Sequence, residues 1–221
     1  MPNINCLEIL KDDWETLLET LKVEPTKIQM VLSELVTAYS SINRFYHTLK
    51  HIQQVLETIA EIQKQTSQLT VKTINFPAIQ LAAWFHDVIY EPQSKDNEEK
   101  SAVYAKSILT HFNLPINTIK FVQDLILNTK HHQALPTDFH SHIFLDSDLA
   151  ILGASQLEYQ AYSQAIRQEY SWLNDQLYRC GRKQVLQQFL QRQRIYFIEH
   201  MFTKLEKRAR LNLQSELAYL S

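Results

Sequence analysis

Two glycines, Gly153 and Gly181, serve all 221 residues of this chain. A sheet-rich fold of that size reverses direction many times, and tight reversals take positive φ angles that glycine adopts most easily. A chain so poor in glycine is expected to be built of helices joined by ordinary loops, an all-α fold. The same scarcity leaves no material for a P-loop or a dinucleotide-binding fingerprint. Hydrophobic residues make up 45% and charged residues 21%, which is the composition of an ordered globular chain. The length suits one domain, 1–221, better than two.

Apolar spacing fills in the helices. Leu7, Leu10, Trp14, Leu17, Leu18 and Leu21 fall on one helical face, and Pro25 fits the first turn of a second helix carrying Ile28, Val31, Leu32, Leu35 and Tyr39. A long amphipathic helix is predicted from about Asn43 to Gln65, with a loop over Thr66–Asn75. Pro77 opens a helix that is apolar almost all round and is expected to end at Pro92. Another helix starts near Asp96–Asn97, where either side chain can cap the first turn, and a further one starts at Pro115. A polar, histidine-rich loop spans Asn128–Ser141, and helix resumes near Ile143 and breaks at Gly153. Three last helices are predicted at about Ser155–Trp172, Gln184–Leu190 and Arg194–Tyr219.

The formal net charge of −2 gives no global reason for a nucleic-acid or membrane partner. Cys6 and Cys180 lack metal-type spacing and read as free thiols of a reducing compartment. Met1–Leu10 carries no basic region followed by an apolar run, and no apolar run approaches the roughly 20 residues that span a bilayer. A soluble, cytoplasmic protein is expected. The basic C-terminal helix, with Arg192, Arg194, Lys204, Lys207, Arg208 and Arg210, is interspersed with Glu199, Glu206 and Glu216 and reads as a solvated amphipathic face rather than a nucleic-acid surface. Its aromatic residues Tyr196, Phe197 and Phe202 are expected against the core or against a second subunit, which leaves a homodimer open.

Chemistry is concentrated in a few polar residues set among apolar ones. His86 and Asp87 stand in the most apolar helical stretch, where a carboxylate and an imidazole are costly unless something pairs with them. A cation neutralises the one and uses the lone pair of the other. His47 and His51 are four residues apart, a spacing that suits either a shared metal or two histidines packed against a neighbouring helix. Asp146 and Asp148 point about 200° apart on a helix, so at most one is expected as a ligand, the other capping a helix or supporting a histidine.

In order along the chain, His51, His86–Asp87 and Asp148 resemble the H…HD…D signature of the HD superfamily of metal-dependent phosphohydrolases. The stretches Arg44–Ile52, Ala83–Pro92, Asp96–Ala102, Leu145–Gly153, Tyr178–Arg182 and Arg208–Asn212 are similar to a poorly characterised bacterial branch of it. The resemblance covers roughly Tyr39 to the C-terminus. It implies an HD-like helical bundle with a metal core at about 43–153, extra N-terminal helices, and C-terminal helices at about 155–219. It implies metal ligation by His51, His86, Asp87 and Asp148, the second aspartate of an Asp-x-Asp motif being the usual ligand. It also implies hydrolysis of a phosphate ester of a nucleotide or other small phosphorylated molecule. Related ppGpp hydrolases carry an acidic pair after their HD that handles the attacking water; here Tyr90–Glu91 stands there, making Glu91, with Asp87, the catalytic candidate. His131 and His132 fall where some relatives bind a second metal.

A divalent ion held by imidazoles and carboxylates lowers the pKa of bound water from about 15.7 toward about 7 and polarises a phosphoryl oxygen. Arg44, His47, Lys130 and His131 are the candidates for contacting the substrate's phosphate. Manganese, magnesium, cobalt, nickel, zinc and iron all suit mixed nitrogen and oxygen ligands. Two other functions fit the same residues: a non-catalytic sensor of nucleotide or metal, and an HD-type di-iron oxygenase.

Overall fold

The computed structural model describes residues 4–66 and 74–221, so positions 67–73 of the loop expected over Thr66–Asn75 lie outside the described residues. Among the described residues there are ten α-helices, one 3-10 turn and no strand. The all-α expectation is therefore met. No helix among them is long and apolar enough to cross a membrane.

Helix α1 (Ile4–Thr20) buries Leu10, Trp14, Leu17 and Leu18 against α2 (Pro25–Tyr39), with Pro25 in the first turn of α2. The Trp14 indole N–H donates to the Ile28 carbonyl at 3.0 Å and pins the pair. Helix α3 (Leu49–Thr66) buries the expected stripe of Leu49, Ile52, Val55, Leu56, Ile59 and Ile62, and His51 with it. It begins six residues after the predicted Asn43, because residues 43–48 form turns instead. The Glu169 carboxylate accepts from the N–H groups of Phe45, Tyr46 and His47, so those donors are satisfied from outside and need no helix.

Helix α4 (Phe76–Phe85) is the centre of the core. Every residue from Ala78 to Phe85 except Gln80 is buried, and α4 packs on α3, α5 (Asn97–His111), α6 (Ile116–Asn128) and α7 (Phe139–Asp148). It stops at Phe85 rather than at Pro92. The turns that follow are held by other side chains. Arg44 donates to the carbonyls of Asp87 and Val88, and the Ser101 hydroxyl accepts from the Ile89 N–H and donates to the Ile89 carbonyl. The His86–Asp87 pair thus sits just past the end of the apolar helix, not within it. Helix α5 starts where expected, but Asp96 makes no side-chain cap; it pairs with Lys100 and Ser94 instead.

The Asp138 carboxylate caps α7 by accepting from the Ser141 N–H, so this helix starts four residues before the expected Ile143. A 3-10 turn at Leu149–Gly153 leads to α8 (Gln156–Glu169), whose first turn carries a reciprocal capping box between Ser155 and Glu158. A Cβ on Gly153 would lie 2.6 Å from the Leu205 Cβ, so only glycine lets this turn approach α10 (Glu199–Leu220) so closely. Helix α9 (Asp175–Gln191) is far longer than the predicted Gln184–Leu190. Gly181 lies within it with nothing near, and its mild helix penalty is no barrier once Asn174 caps the start. Residues 194–198, expected to begin α10, are irregular: Glu206 accepts from the N–H groups of Ile195 and Tyr196. Tyr196 is fully buried, Phe197 stacks on His142, and Arg194 covers Phe202. Hydrophobic contact runs unbroken from Leu10 to Leu220.

Candidate metal centre

Three helix ends converge beside α4. His51 comes from the first turn of α3, His86 follows the last residue of α4, and Asp148 ends α7. Their ligand atoms lie within 4.8 Å of one another, in a group that could hold a metal ion. The two Nε2 atoms are 3.2 Å apart, and Asp148 Oδ1 is 3.2 Å from His51 Nε2 and 3.5 Å from His86 Nε2. Asp87 Oδ2 lies 3.0 Å from His86 Nε2 and 3.7 Å from His51 Nε2. The His86 Nδ1–H donates to the Ala83 carbonyl at 2.9 Å, which leaves the Nε2 lone pair facing the group.

The electrostatics are those of a cluster short of positive charge. Burial would raise the carboxyls of Asp87 and Asp148, yet both are held below the usual range, Asp87 by the charges of His86 and His47, Asp148 by hydrogen bonds from His132, His51 and His86. Burial opposes charge on His86, but the two carboxylates outweigh it and hold that imidazole well above its ordinary value. Burial wins at His51, whose pKa is pushed down. Two carboxylates thus face imidazoles here, with no lysine or arginine paired to either among the described residues, and a divalent cation suits this mixed nitrogen and oxygen donor set.

The two aspartates divide as the helix geometry requires. Asp148 joins the group. Asp146 is fully buried and accepts from the N–H groups of Phe197 and Ile198 at 2.8 and 2.7 Å. It therefore caps the entrance to α10, a helix that has no side-chain cap of its own.

Behind the cluster stands a second arrangement. Glu169, 4% exposed, takes the three N–H groups of residues 45–47 on Oε1. Its Oε2 accepts from His47 Nδ1 at 2.7 Å and the Tyr90 hydroxyl at 2.9 Å. The His47 ring stacks on Tyr90 with centroids 4.1 Å apart and meets the His51 ring at 5.9 Å. The charge of Asp87 and the Glu169 hydrogen bond raise the His47 pKa against the effect of burial. His47 and His51 do not share a helix, so they meet through the turn that Glu169 holds.

The other expected site residues are not gathered here. Arg44 is buried and spends its guanidinium on the carbonyls of His47, Asp87 and Val88, at 3.1, 2.6 and 2.8 Å. Its expected phosphate contact gives way to holding both histidine-bearing turns. Glu91 is exposed, and only its backbone is engaged, by Asn97. Lys130 pairs with Glu99 and the Lys95 carbonyl, and His131 is exposed. His132, next to it, reaches the cluster instead: its Nε2 is 2.9 Å from Asp148 Oδ2.

A cavity of about 300 Å³ opens onto His51 and Asp148, between Gln54, Thr58 and Glu61 of α3 and Lys204 and Arg208 of α10. No known protein family, curated protein or solved structure matches this chain.

Glu169 was the least visible of these in the sequence. Its signal is an acid in the last slot of a buried stripe, after Tyr159, Tyr162 and Ile166 at helical spacing. The positions of Tyr90 and His132 carry no comparable mark.

Proposed function

We propose that this chain is a metal-dependent phosphohydrolase of the HD type, acting on a small phosphorylated molecule such as a nucleotide. The observation that carries the reading is the convergence of His51, His86 and Asp148, with Asp87 against them, in the chain order of the H…HD…D signature. His51, His86, Asp87 and Asp148 would hold the ion. Bound there, a divalent ion supplies Lewis acidity to water and to a phosphoryl oxygen.

The chain's own residues supply the rest. Arg44 fixes the backbone on both sides of the ion site by tying residues 47, 87 and 88 together. Glu169 engages His47 Nδ1, which leaves Nε2 as the nitrogen available to a water or a substrate oxygen. His47 is better placed for that work than the exposed Glu91. The cavity beside His51 and Asp148 gives a substrate access; on its wall Lys204 pairs with Glu61, and Arg208 donates to the Gly153 carbonyl.

Purified protein is to be screened with each of manganese, magnesium, cobalt, nickel, zinc and iron against nucleoside mono-, di- and triphosphates, cyclic nucleotides, ppGpp and sugar phosphates. Release of phosphate or nucleoside that chelator abolishes supports the reading. No turnover with any ion would remove catalysis from it. An Asp87→Ala variant then separates enzyme from sensor: an enzyme loses turnover, whereas a sensor loses only ligand binding.

A further inference from the structure

Among the described residues three non-glycine positions have positive φ: Lys22 at 58°, Asn113 at 58° and His132 at 46°. The first two close helices in the usual way. Val23 N–H reaches back to Leu18 and Lys22 N–H to Glu19; Leu114 N–H reaches Leu109 and Asn113 N–H reaches Thr110. His132 has no such excuse. It lies beyond the end of α6, and its N–H reaches only the Thr129 carbonyl, at 3.3 Å. A left-handed backbone at a residue with a Cβ is strained and persists only where its surroundings enforce it.

Arg192 enforces it. Its Nη1 donates to the His132 carbonyl at 2.8 Å and its Nη2 to the His131 carbonyl at 2.9 Å. The guanidinium lies over the Phe189 ring, which also meets the His132 ring edge to face. Arg192 is anchored in turn, since its own carbonyl accepts from Arg210. The product of this clamp is one contact: the His132 Nε2–H donates to Asp148 Oδ2, while Asp148 Oδ1 faces His51 and His86.

We infer that His132 is a positioning residue for Asp148, and that Arg192 holds the strained turn so that one carboxylate oxygen is tied and the other is aimed at the ion. This rests on the metal-binding reading of the cluster. Ligating carboxylates are commonly fixed in this way, and losing the outer partner weakens metal binding by about 10- to 100-fold.

The test is titration of the full chain with Co²⁺ against a competing chelator, beside the Tm of the metal-free protein, for wild type, His132→Ala, His132→Gly and Arg192→Gln. Wild type is expected to take one ion. Both substitutions at 132 should weaken Co²⁺ by about 10- to 100-fold alike, although glycine, which fits the left-handed turn, should melt higher than alanine. Arg192→Gln should weaken Co²⁺ in the same direction. If the glycine variant binds like wild type, or if affinity simply follows Tm across the variants, the imidazole has no positioning role. Two ions in wild type, one of them lost in His132→Ala, would make His132 a ligand and overturn the inference while leaving metal binding intact. No Co²⁺ bound by wild type would overturn the metal reading and this inference together.

Discussion

Two buried polar clusters lie in this fold, and they are balanced differently. Under α8, α9 and α10, Arg182 meets Glu216 through two parallel hydrogen bonds of 2.8 and 3.0 Å, and the Tyr159 hydroxyl completes the carboxylate. Both charged residues are less than a tenth exposed, and each sign is met within the chain. Where α3, α4 and α7 meet, Asp87 and Asp148 face His51, His86 and His132, and no lysine or arginine pairs with either carboxylate among the described residues. A buried ion cluster complete in itself is a strut. One whose carboxylates meet only imidazoles could hold a metal ion, whose charge would offset the cost of keeping both carboxylates there.

The contrast can be broken from the strut side first. Glu216→Ala strands the Arg182 guanidinium and should cost about 3–5 kcal/mol in denaturant unfolding while leaving metal stoichiometry unchanged. Loss of metal binding in that variant would mean that the two clusters are coupled. Glu169, which holds the turn ahead of His51, comes next. Its pKa is lowered from 4.5 to about 2, chiefly by the His47 and backbone hydrogen bonds that overcome burial. A depressed carboxyl contributes stability that is full above the unfolded value and fades as pH falls through the folded one. Glu169→Gln should therefore lose about 3 kcal/mol near neutral pH, and the gap to wild type should close between pH 4.5 and about 2. A gap that stays constant across a pH series of urea melts would show that the charge is not what matters.

Divalent ion at a hundredfold excess over its Kd should stabilise the fold by about 2.7 kcal/mol, reversed by chelator, and by the same amount in the Glu216 variant. Calorimetric Tm shifts measure this, and no shift in either protein would erase the distinction between the clusters. The smallest effect belongs to Tyr159→Phe, which removes one hydrogen bond to the strut's carboxylate and should cost about 1.5 kcal/mol with no change in metal affinity.

Periodicity made the helices legible because burial of an apolar stripe is a local property of the chain. Helix ends were less so, since residues 43–48, 86–91 and 194–198 are held out of helix by Glu169, Arg44, Ser101 and Glu206 from distant positions. Within the site, His86 and Asp87 stand out as polar residues in an apolar setting, whereas His51 is preferred over His47 partly, and Asp148 over Asp146 almost entirely, by the order of the motif. Arg44, expected against a phosphate, and His132, expected where some relatives bind a second metal, make contacts that the sequence does not reveal, because a side chain's partner across the fold leaves no mark at its own position. The same holds for the split of Asp146 from Asp148: spacing says that they diverge, and only the α10 backbone says which one caps.

The Glu169 carboxylate lies 122 residues along the chain from the His47 N–H that it accepts, and Asp146 waits 52 residues for the Ile198 N–H. A chain made from its N-terminus thus possesses His51, His86, Asp87 and Asp148 before it possesses Glu169, which holds the turn ahead of His51, and Arg192, which holds the turn of His132. Closing such long loops is slow, and domains complete their distant pairings last. The four side chains of the cluster are made first and part of their frame afterwards, so the cluster is complete only once the C-terminal helices have arrived.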